Sequence, residues 1–498
     1  MITAARPAAL WCVGIGLAAA LGYAVAVNPF YVSVGLAGLA SAVLTFRFPI
    51  PAALLIAALA QEINPNSLTQ KDTLVGIGHE VYFTSIGGVS ALVILAAVAA
   101  VSIAIRCEAE GIDWKRCFRP LSVKALLGVG VAATLINTWH TGNVVGTLLR
   151  DARFGILAAL GIMVGLYAVS STQRHNTVRL FRAAVAILGV GGVLIIASGT
   201  YLRTNTGQQM AYYDGATAAL AGAYLVGSFF NPHRTRRDIL FEVLATITLA
   251  LSFRRNVWLA ALVAAIVLLF LQRRRIIRGF RLMVSAGGSF LAVYFLFPEF
   301  YVQITTHMQS GIDTLLGRSS EVSTTGHVDD VFYGYDAALR APLLGYGPIQ
   351  QVPGLFNQSG SLYVHNEPLQ LWLKYGLIPV GLLIIFVATS IWTGLWLLGK
   401  NQIEPFPGSG LLTGWSTALL LMLPVSLMTA PYISTTQRWP LLVGIAVGIL
   451  MADRTGISAL STHAAVEVLA VERDVVEPRS TRKAGVALYR DEQQSLTV

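Results

Sequence analysis

The chain has 498 residues, of which 55% are hydrophobic and only 12% charged, and its mean hydropathy is +0.65. Apolar runs recur from near residue 8 to residue 452, and runs such as 91–105 and 377–391 have almost no polar face, which excludes a soluble multidomain fold and indicates an all-α polytopic membrane protein. The net charge of +10 does not point to nucleic acid, because most Lys and Arg residues fall in short loops between apolar runs, where they orient the chain and meet anionic headgroups.

At the N-terminus, Arg6 precedes a long apolar segment with no small-residue cleavage site after it, which reads as a retained first span rather than a signal peptide. The predicted apolar segments are 8–27, 30–45, 49–61, 84–105, 121–138, 153–170, 183–200, 214–230, 239–253, 256–271, 282–297, 367–398, 411–429 and 438–452. They predict a helical bundle of about 12 to 14 transmembrane helices. Cys12 falls in the first span, and Cys107 and Cys117 share a loop, so neither a disulfide framework nor a zinc spacing is present. Lys/Arg clusters at Arg106/Lys115/Arg116/Arg119, Arg174/Arg179/Arg182, Arg234/Arg236/Arg237 and Arg273/Arg274/Arg275/Arg278/Arg281 are separated from one another by two spans each, which places all four on the cytoplasmic side. The same parity puts 62–83, 139–152, 201–213, 298–366 and 430–437 outside. The only large external loop is 298–366, and 453–498 reads as a mixed-charge cytoplasmic tail, largely disordered. There is no internal sequence repeat, which weakens an inverted-repeat transporter reading.

Between Phe241 and Leu271 lie about 31 residues, too many for one crossing of a core about 30 Å thick at a rise of about 1.5 Å per residue. A hairpin with its tip near Arg254-Arg255-Asn256 resolves this and keeps the flanking basic clusters on one side. Arg254 and Arg255 then stand on the external side, against the usual charge bias. Snorkelling to lipid phosphate is the bland explanation, but paired charges at this depth more often mark a binding site, and a guanidinium pair suits phosphate or pyrophosphate. Arg203, Arg318, Arg340 and Arg438 are further external arginines that, taken singly, read as ordinary surface or interfacial charges.

In the external loop, Gly317-Arg318 is followed by Val328–Leu339, where Val331, Phe332, Tyr335 and Leu339 recur at helical spacing and predict an amphipathic helix on the outer surface. His327, Asp329 and Asp330 can be drawn as metal ligands, but adjacent carboxylates diverge on a helix, and helix capping is the favoured reading. Pro342-Leu343-Leu344-Gly345-Tyr346-Gly347-Pro348 predicts a tight turn whose glycines serve either the turn itself or backbone approach to a ligand. His365 then stands one residue before a predicted helix N-terminus, with Asn366 as N-cap and Pro368 in the first turn. Its imidazole is either a base or hydrogen-bond partner at the membrane boundary, or a structural group at a helix end.

The order of these elements, Ser252-Phe253-Arg254-Arg255-Asn256-Val257-Trp258, Gly317-Arg318 with its following helix, Pro342 to Gly347, and His365-Asn366 opening a span with Gly376-Leu377-Ile378, resembles the O-antigen ligase and polysaccharide polymerase-like membrane glycosyltransferases over about residues 200–390. The resemblance implies a GT-C-like helical architecture with an N-terminal bundle over 1–199, a ligase-like membrane domain over 200–452 that includes the loop 298–366, and the tail 453–498. It also implies a metal-independent, inverting transferase with no cofactor, working at the periplasmic face of a bacterial inner membrane. Its donor would be an undecaprenyl-pyrophosphate-linked glycan and its acceptor a lipid A core or another glycan. Carried onto this sequence, Arg254 or Arg255 and Arg318 hold the pyrophosphate and His365 orients or deprotonates the acceptor hydroxyl. Arg203, Arg340, Asn366, Gly345 and Gly347 are further possible substrate contacts. The competing reading is a transporter, such as a flippase for the same lipid-linked sugar, which should spread charge along a path open to both sides rather than gather it on one face.

Overall fold

The computed structural model describes residues 29–60, 85–86, 89–142, 153–170, 173–197, 213–228, 236–271, 287–288, 291, 294–295, 298–315, 322–347, 364–400, 409–430 and 432–455. The predicted first span, Arg203, Arg318, the basic cluster 273–281 and all but the first residues of the tail lie outside them. Within them the protein is all-α apart from an antiparallel pairing of β1 (Ser85–Ile86) with β2 (Val89–Ser90). The helices are α1 (Pro29–Arg47), α2 (Pro49–Leu59), α3 (Ala91–Ala109), α4 (Leu121–Thr141), α5 (Arg153–Ala168), α6 (Arg174–Ala197), α7 (Gly215–Gly227), α8 (Arg236–Leu251), α9 (Arg255–Leu271), α10 (Pro298–Leu315), α11 (Val322–Arg340), α12 (Glu367–Tyr375), α13 (Leu377–Lys400), α14 (Ser409–Leu427), α15 (Tyr432–Thr435) and α16 (Arg438–Thr455).

Among the described residues, five helices are long and apolar enough to cross a membrane, namely Ala91–Ala109, Leu121–Thr141, Arg174–Leu194, Leu377–Lys400 and Gly410–Leu427, and the pair Gly38–Arg47 and Pro49–Ala58, bent by 120°, makes up to six. Of the other expected segments, 8–27 and most of 282–297 lie outside the described residues. Helices α5, α7 and α9 are apolar but shorter than a span, and α7 and α16 are buried almost throughout by other helices. A helix enclosed by protein is as apolar as one enclosed by lipid, so hydropathy counts both. The segment 367–398 also differs from the single span expected. It breaks at Gly376, whose φ of +78° ends α12 before α13 begins.

One core runs through the bundle and across the expected boundary at 199/200. Its tightest contact joins α5 to α16. Gly161 and Gly165 face backbone of Leu441 to Ile449, while Gly444 and Gly448 face Ala158 and Ile162, so any Cβ at these four positions would strike the opposing main chain. The two small-xxx-small stripes let the helices approach to backbone contact, a packing suited to a membrane, where dispersion rather than water exclusion drives association.

The basic clusters within the described residues meet at one end. Arg182 pairs with Asp238 and Arg174 with Asp453, Arg106 donates to the Arg47 carbonyl at 2.7 Å, and Arg116, Arg119 and Arg454 line one cavity. Helix α8 starts at this end, and the turn after it carries Arg254 to the other.

Arg438, expected as an interfacial charge, is instead wholly buried. Its guanidinium is ion-paired to Asp214, donates to the last-turn carbonyls of α2 (Ala57 and Ala58), and reaches Thr217 Oγ1 at 2.7 Å. The Asp214 carboxylate also accepts from the Thr217 N–H at 2.9 Å as the N-cap of α7. A single buried pair therefore closes the C-terminus of α2 and the N-terminus of α7 and fixes the start of α16. Arg438→Leu should cost about 3–5 kcal/mol, because it strands the Asp214 charge. The joint change Asp214→Ser/Arg438→Met keeps a capping oxygen and removes both charges, so thermal unfolding in detergent should show it closer to wild type than Arg438→Leu. Equal losses in the two variants would contradict this account.

Candidate functional site

The hairpin tip forms as its sequence predicts. Helix α8 ends at Leu251, Phe253 turns the chain with a φ of +48°, and the Arg254 carbonyl accepts from Val257 and Trp258 N–H at 3.0 and 3.1 Å to start α9. A left-handed backbone at a bulky aromatic is costly. It is held by Trp258 Nε1–H, which donates to the Leu249 carbonyl at 2.7 Å, and by Ser252 Oγ, which accepts from the Arg254 N–H at 3.2 Å. Helix α7 packs against both α8 and α9 behind the tip. Arg254 is exposed and Arg255 half-buried. The next side chain, Asn256, donates through Nδ2 to Thr429 Oγ1 and to the Tyr432 hydroxyl, both at 2.9 Å.

His365 is held with equal care. Val364 N–H donates to Gln370 Oε1 at 2.7 Å, and Asn366 Oδ1 accepts from Leu369 N–H at 3.0 Å, the N-cap geometry expected for α12. Asn366 Nδ2 also donates to the Met428 carbonyl at 3.2 Å. The flanking residues are buried, while His365 is half-buried. Helix α12 is short and amphipathic. Its Leu369 and Leu373 pack with Val364, Ala337 and Ala338 against α11, so the histidine stands on a small satellite core beside the main bundle.

Glu367 links these two parts, a role not expected from its position in the sequence. Its side chain is wholly buried, and its carboxylate accepts from the N–H of Ile433 at 2.7 Å and of Ser434 at 3.0 Å, the first turn of α15. Segment 428–434 therefore touches Asn256, next to Arg255, and also Asn366 and Glu367, next to His365. Tyr432 stacks on Trp439 with ring centroids 4.9 Å apart and abuts Gly215 at the start of α7. Gln437 is tied to Ser90 before α3, and Arg153 of α5 donates to the Thr435 carbonyl at 3.2 Å. Asn256, which follows Arg254 and Arg255, and Asn366 and Glu367, which follow His365, thus meet at one segment, at the end of the bundle opposite the basic clusters.

The remaining candidates are placed differently. Arg340 lies in the last turn of α11, exposed and paired with Asp336 one turn earlier. Gly345 and Gly347 have φ of +63° and +78° and lie where the 341–347 turn docks on α12: Tyr346 N–H donates to the Leu373 carbonyl at 2.7 Å and Gly347 N–H to the Lys374 carbonyl at 3.0 Å. A Cβ at Gly345 would meet the Leu373 carbonyl at 2.6 Å, and one at Gly347 the His140 ring at 3.0 Å. Both glycines thus permit the close approach of two chain segments. Helix α11 begins at Val322, so His327, Asp329 and Asp330 lie inside it and do not cap its start. Ala337, Ala338 and Gly334 turn toward α12, while Phe332, Tyr335 and Leu339 are exposed, because small side chains are what a close helix contact admits.

Residues 240–386 match the family model described as O-antigen ligase. No curated protein matches the chain. The matched segment runs from within α8 to within α13 and contains Arg254, Arg255 and His365, but not segment 428–434. The chain thus carries a segment similar to the O-antigen ligase family, set among helices long and apolar enough to span a membrane.

Glu367 lies outside the spanning helices, and burial pushes its carboxyl up to about 7 against the opposing pull of the Ser434 and Ile433 donors. The folded state then holds a proton that the unfolded chain releases near its ordinary value. The carboxyl is fully compatible with the fold at low pH, and stability falls as pH rises from about 4.5 to about 7, by roughly 3 kcal/mol in all. Glu367→Gln should flatten that slope in thermal unfolding curves recorded across this window. A slope unchanged in the variant would show that other groups set it.

Proposed function

We propose that this chain is a glycosyltransferase that moves an undecaprenyl-pyrophosphate-linked glycan onto an acceptor hydroxyl at the periplasmic face of a bacterial inner membrane, without a metal and with inversion at the sugar. The observation that carries this reading is the common attachment of the Arg254–Asn256 tip and the His365–Asn366 corner to segment 428–434, away from the basic end of the bundle. The positive-inside rule supports placing the basic end in the cytoplasm and the site outside.

In this reading the guanidinium groups of Arg254 and Arg255, joined by Arg318, take the pyrophosphate by charge-assisted, bidentate hydrogen bonds. The acceptor oxygen attacks the anomeric carbon from the face opposite the pyrophosphate. As the new C–O bond forms, the bond to the phosphate oxygen breaks and its electron pair leaves with the pyrophosphate, whose added charge the arginines stabilise. His365 accepts the hydroxyl proton or holds the hydroxyl in line, with its backbone fixed by Gln370 and Asn366. A base in that position is worth about 100- to 10,000-fold in rate. Arg203, Arg340, Gly345 and Gly347 remain candidates for contact with the glycan or acceptor, and Asn366 acts through its hold on the corner.

Purified protein supplied with lipid-linked donor and either lipid A core or a second lipid-linked repeat tests the proposal. His365→Ala, Arg254→Ala and Arg255→Ala should each insert normally, and His365→Ala together with at least one arginine variant should lower product formation at least about 100-fold. Full product from His365→Ala would remove the histidine from the reaction. Movement of donor across the bilayer with no new glycosidic bond would favour a flippase.

A further inference from the structure

At the end of the bundle opposite Arg254 and His365, a cavity of about 860 Å³ opens between the start of α4, the Ala388–Thr393 stretch of α13 and the end of α16. Arg116, Arg119 and Arg454 bring three guanidinium groups to its wall, and Thr389, Trp392 and Thr393 form the facing side. Arg116 is engaged by Asp113 at 2.9 Å, and Arg454 rests on Thr393 Oγ1 at 3.3 Å. Asp453, the acid beside Arg454, is turned away to Arg174 and Thr413. Among the described residues, no carboxylate lies within ion-pairing distance of Arg119 or Arg454. The cavity therefore gathers positive charge that the neighbouring acids do not neutralise.

Its rim has a second character. Trp392 and Leu121 are 74% and 61% exposed, and they belong to α13 and α4, both spanning helices. Leu121 is the first residue of α4 and puts the rim at the end of that span, and the exposed indole of Trp392, about two turns before the end of α13, stands on the same rim with apolar helix surface beside it. A ligand that satisfies both halves has a phosphate for the arginines and acyl chains for the grooves along α4 and α13. We propose that this cavity binds the phosphate headgroup of an anionic diacyl phospholipid, a site separate from the donor site and independent of the transferase reading. The guanidinium fork suits a phosphodiester, and the apolar rim is what a soluble phosphate would not need.

Full-length protein in nanodiscs of phosphatidylglycerol mixed with phosphatidylcholine, released and weighed by native mass spectrometry, reads the bound lipids directly. Phosphatidylglycerol should be retained in preference to phosphatidylcholine, and Arg119→Gln/Arg454→Gln should lower that preference about thirtyfold, each arginine near an anionic surface being worth about fivefold. Ala388→Trp fills the cavity while leaving all three arginines in place, and it should abolish the same adducts. If the double variant does not fold, Ala388→Trp decides alone. Equal retention of the two lipids overturns the proposal, as does retention unchanged in Ala388→Trp. Displacement of bound phosphatidylglycerol by inorganic phosphate alone overturns it too, since that marks a site for the free anion.

Discussion

Non-helical backbone at the end of a membrane bundle has to find hydrogen-bond partners inside the protein, because each unsatisfied peptide group there costs several kcal/mol. The described turn and helix-end residues between Met428 and Gln437, the short α15 included, meet this constraint with side chains from distant parts of the chain. Asn366 takes the Met428 carbonyl, Glu367 takes the Ile433 and Ser434 N–H groups, and Arg153 takes the Thr435 carbonyl. Asn256 adds bonds to Thr429 and Tyr432, and Arg438 roots the following helix beside Asp214. The contacts that satisfy this backbone are the same ones that set where Arg254, Arg255 and His365 stand.

That shared scaffold gives the proposed chemistry its economy of motion. A transferase acting on a pyrophosphate leaving group needs cationic groups and an acceptor-binding group at a fixed separation, and positioning errors of about 1 Å can cost about 100-fold in rate. Here neither group rests on a free loop. The arginines follow a turn locked by Trp258 and Ser252, and the histidine precedes a capped helix whose first acidic residue is clamped to α15. The exposed faces of α11, with Phe332 and Leu339, and of the adjoining turn, with Leu343, lie beside this corner as apolar surface suited to the membrane boundary. The opposite end is organised by different rules, with ion pairs between helices and an arginine-lined cavity.

Much of this was legible from local pattern. The hairpin followed from a segment too long for one crossing, α12 from Asn366 and Pro368, and the 341–347 turn from its glycines, because each depends on neighbouring residues alone. Glu367 was hidden because an acid in the first turn of a helix already has a local explanation. Its actual partners lie about 66 residues away. Arg438 was misread for a related reason: its partners, Asp214, Ala57 and Ala58, come from two other helices, and charge bias alone cannot tell a buried pair from an interfacial arginine. The packing of α5 on α16 was written in Gly161, Gly165, Gly444 and Gly448, a small-xxx-small signal in each helix that hydropathy does not register.

The central claim is that one lipid-linked donor lies against both the hairpin tip and the His365 corner. Photo-crosslinking with an undecaprenyl-pyrophosphate-linked sugar that carries a diazirine near the pyrophosphate, followed by peptide mapping, measures this most directly. The account predicts label on peptides containing Arg254–Trp258 and on those containing His365–Gln370, with both lost when excess unlabelled donor competes. Label confined to the cavity of Arg116, Arg119 and Arg454, or to only one of the two predicted segments, would contradict it.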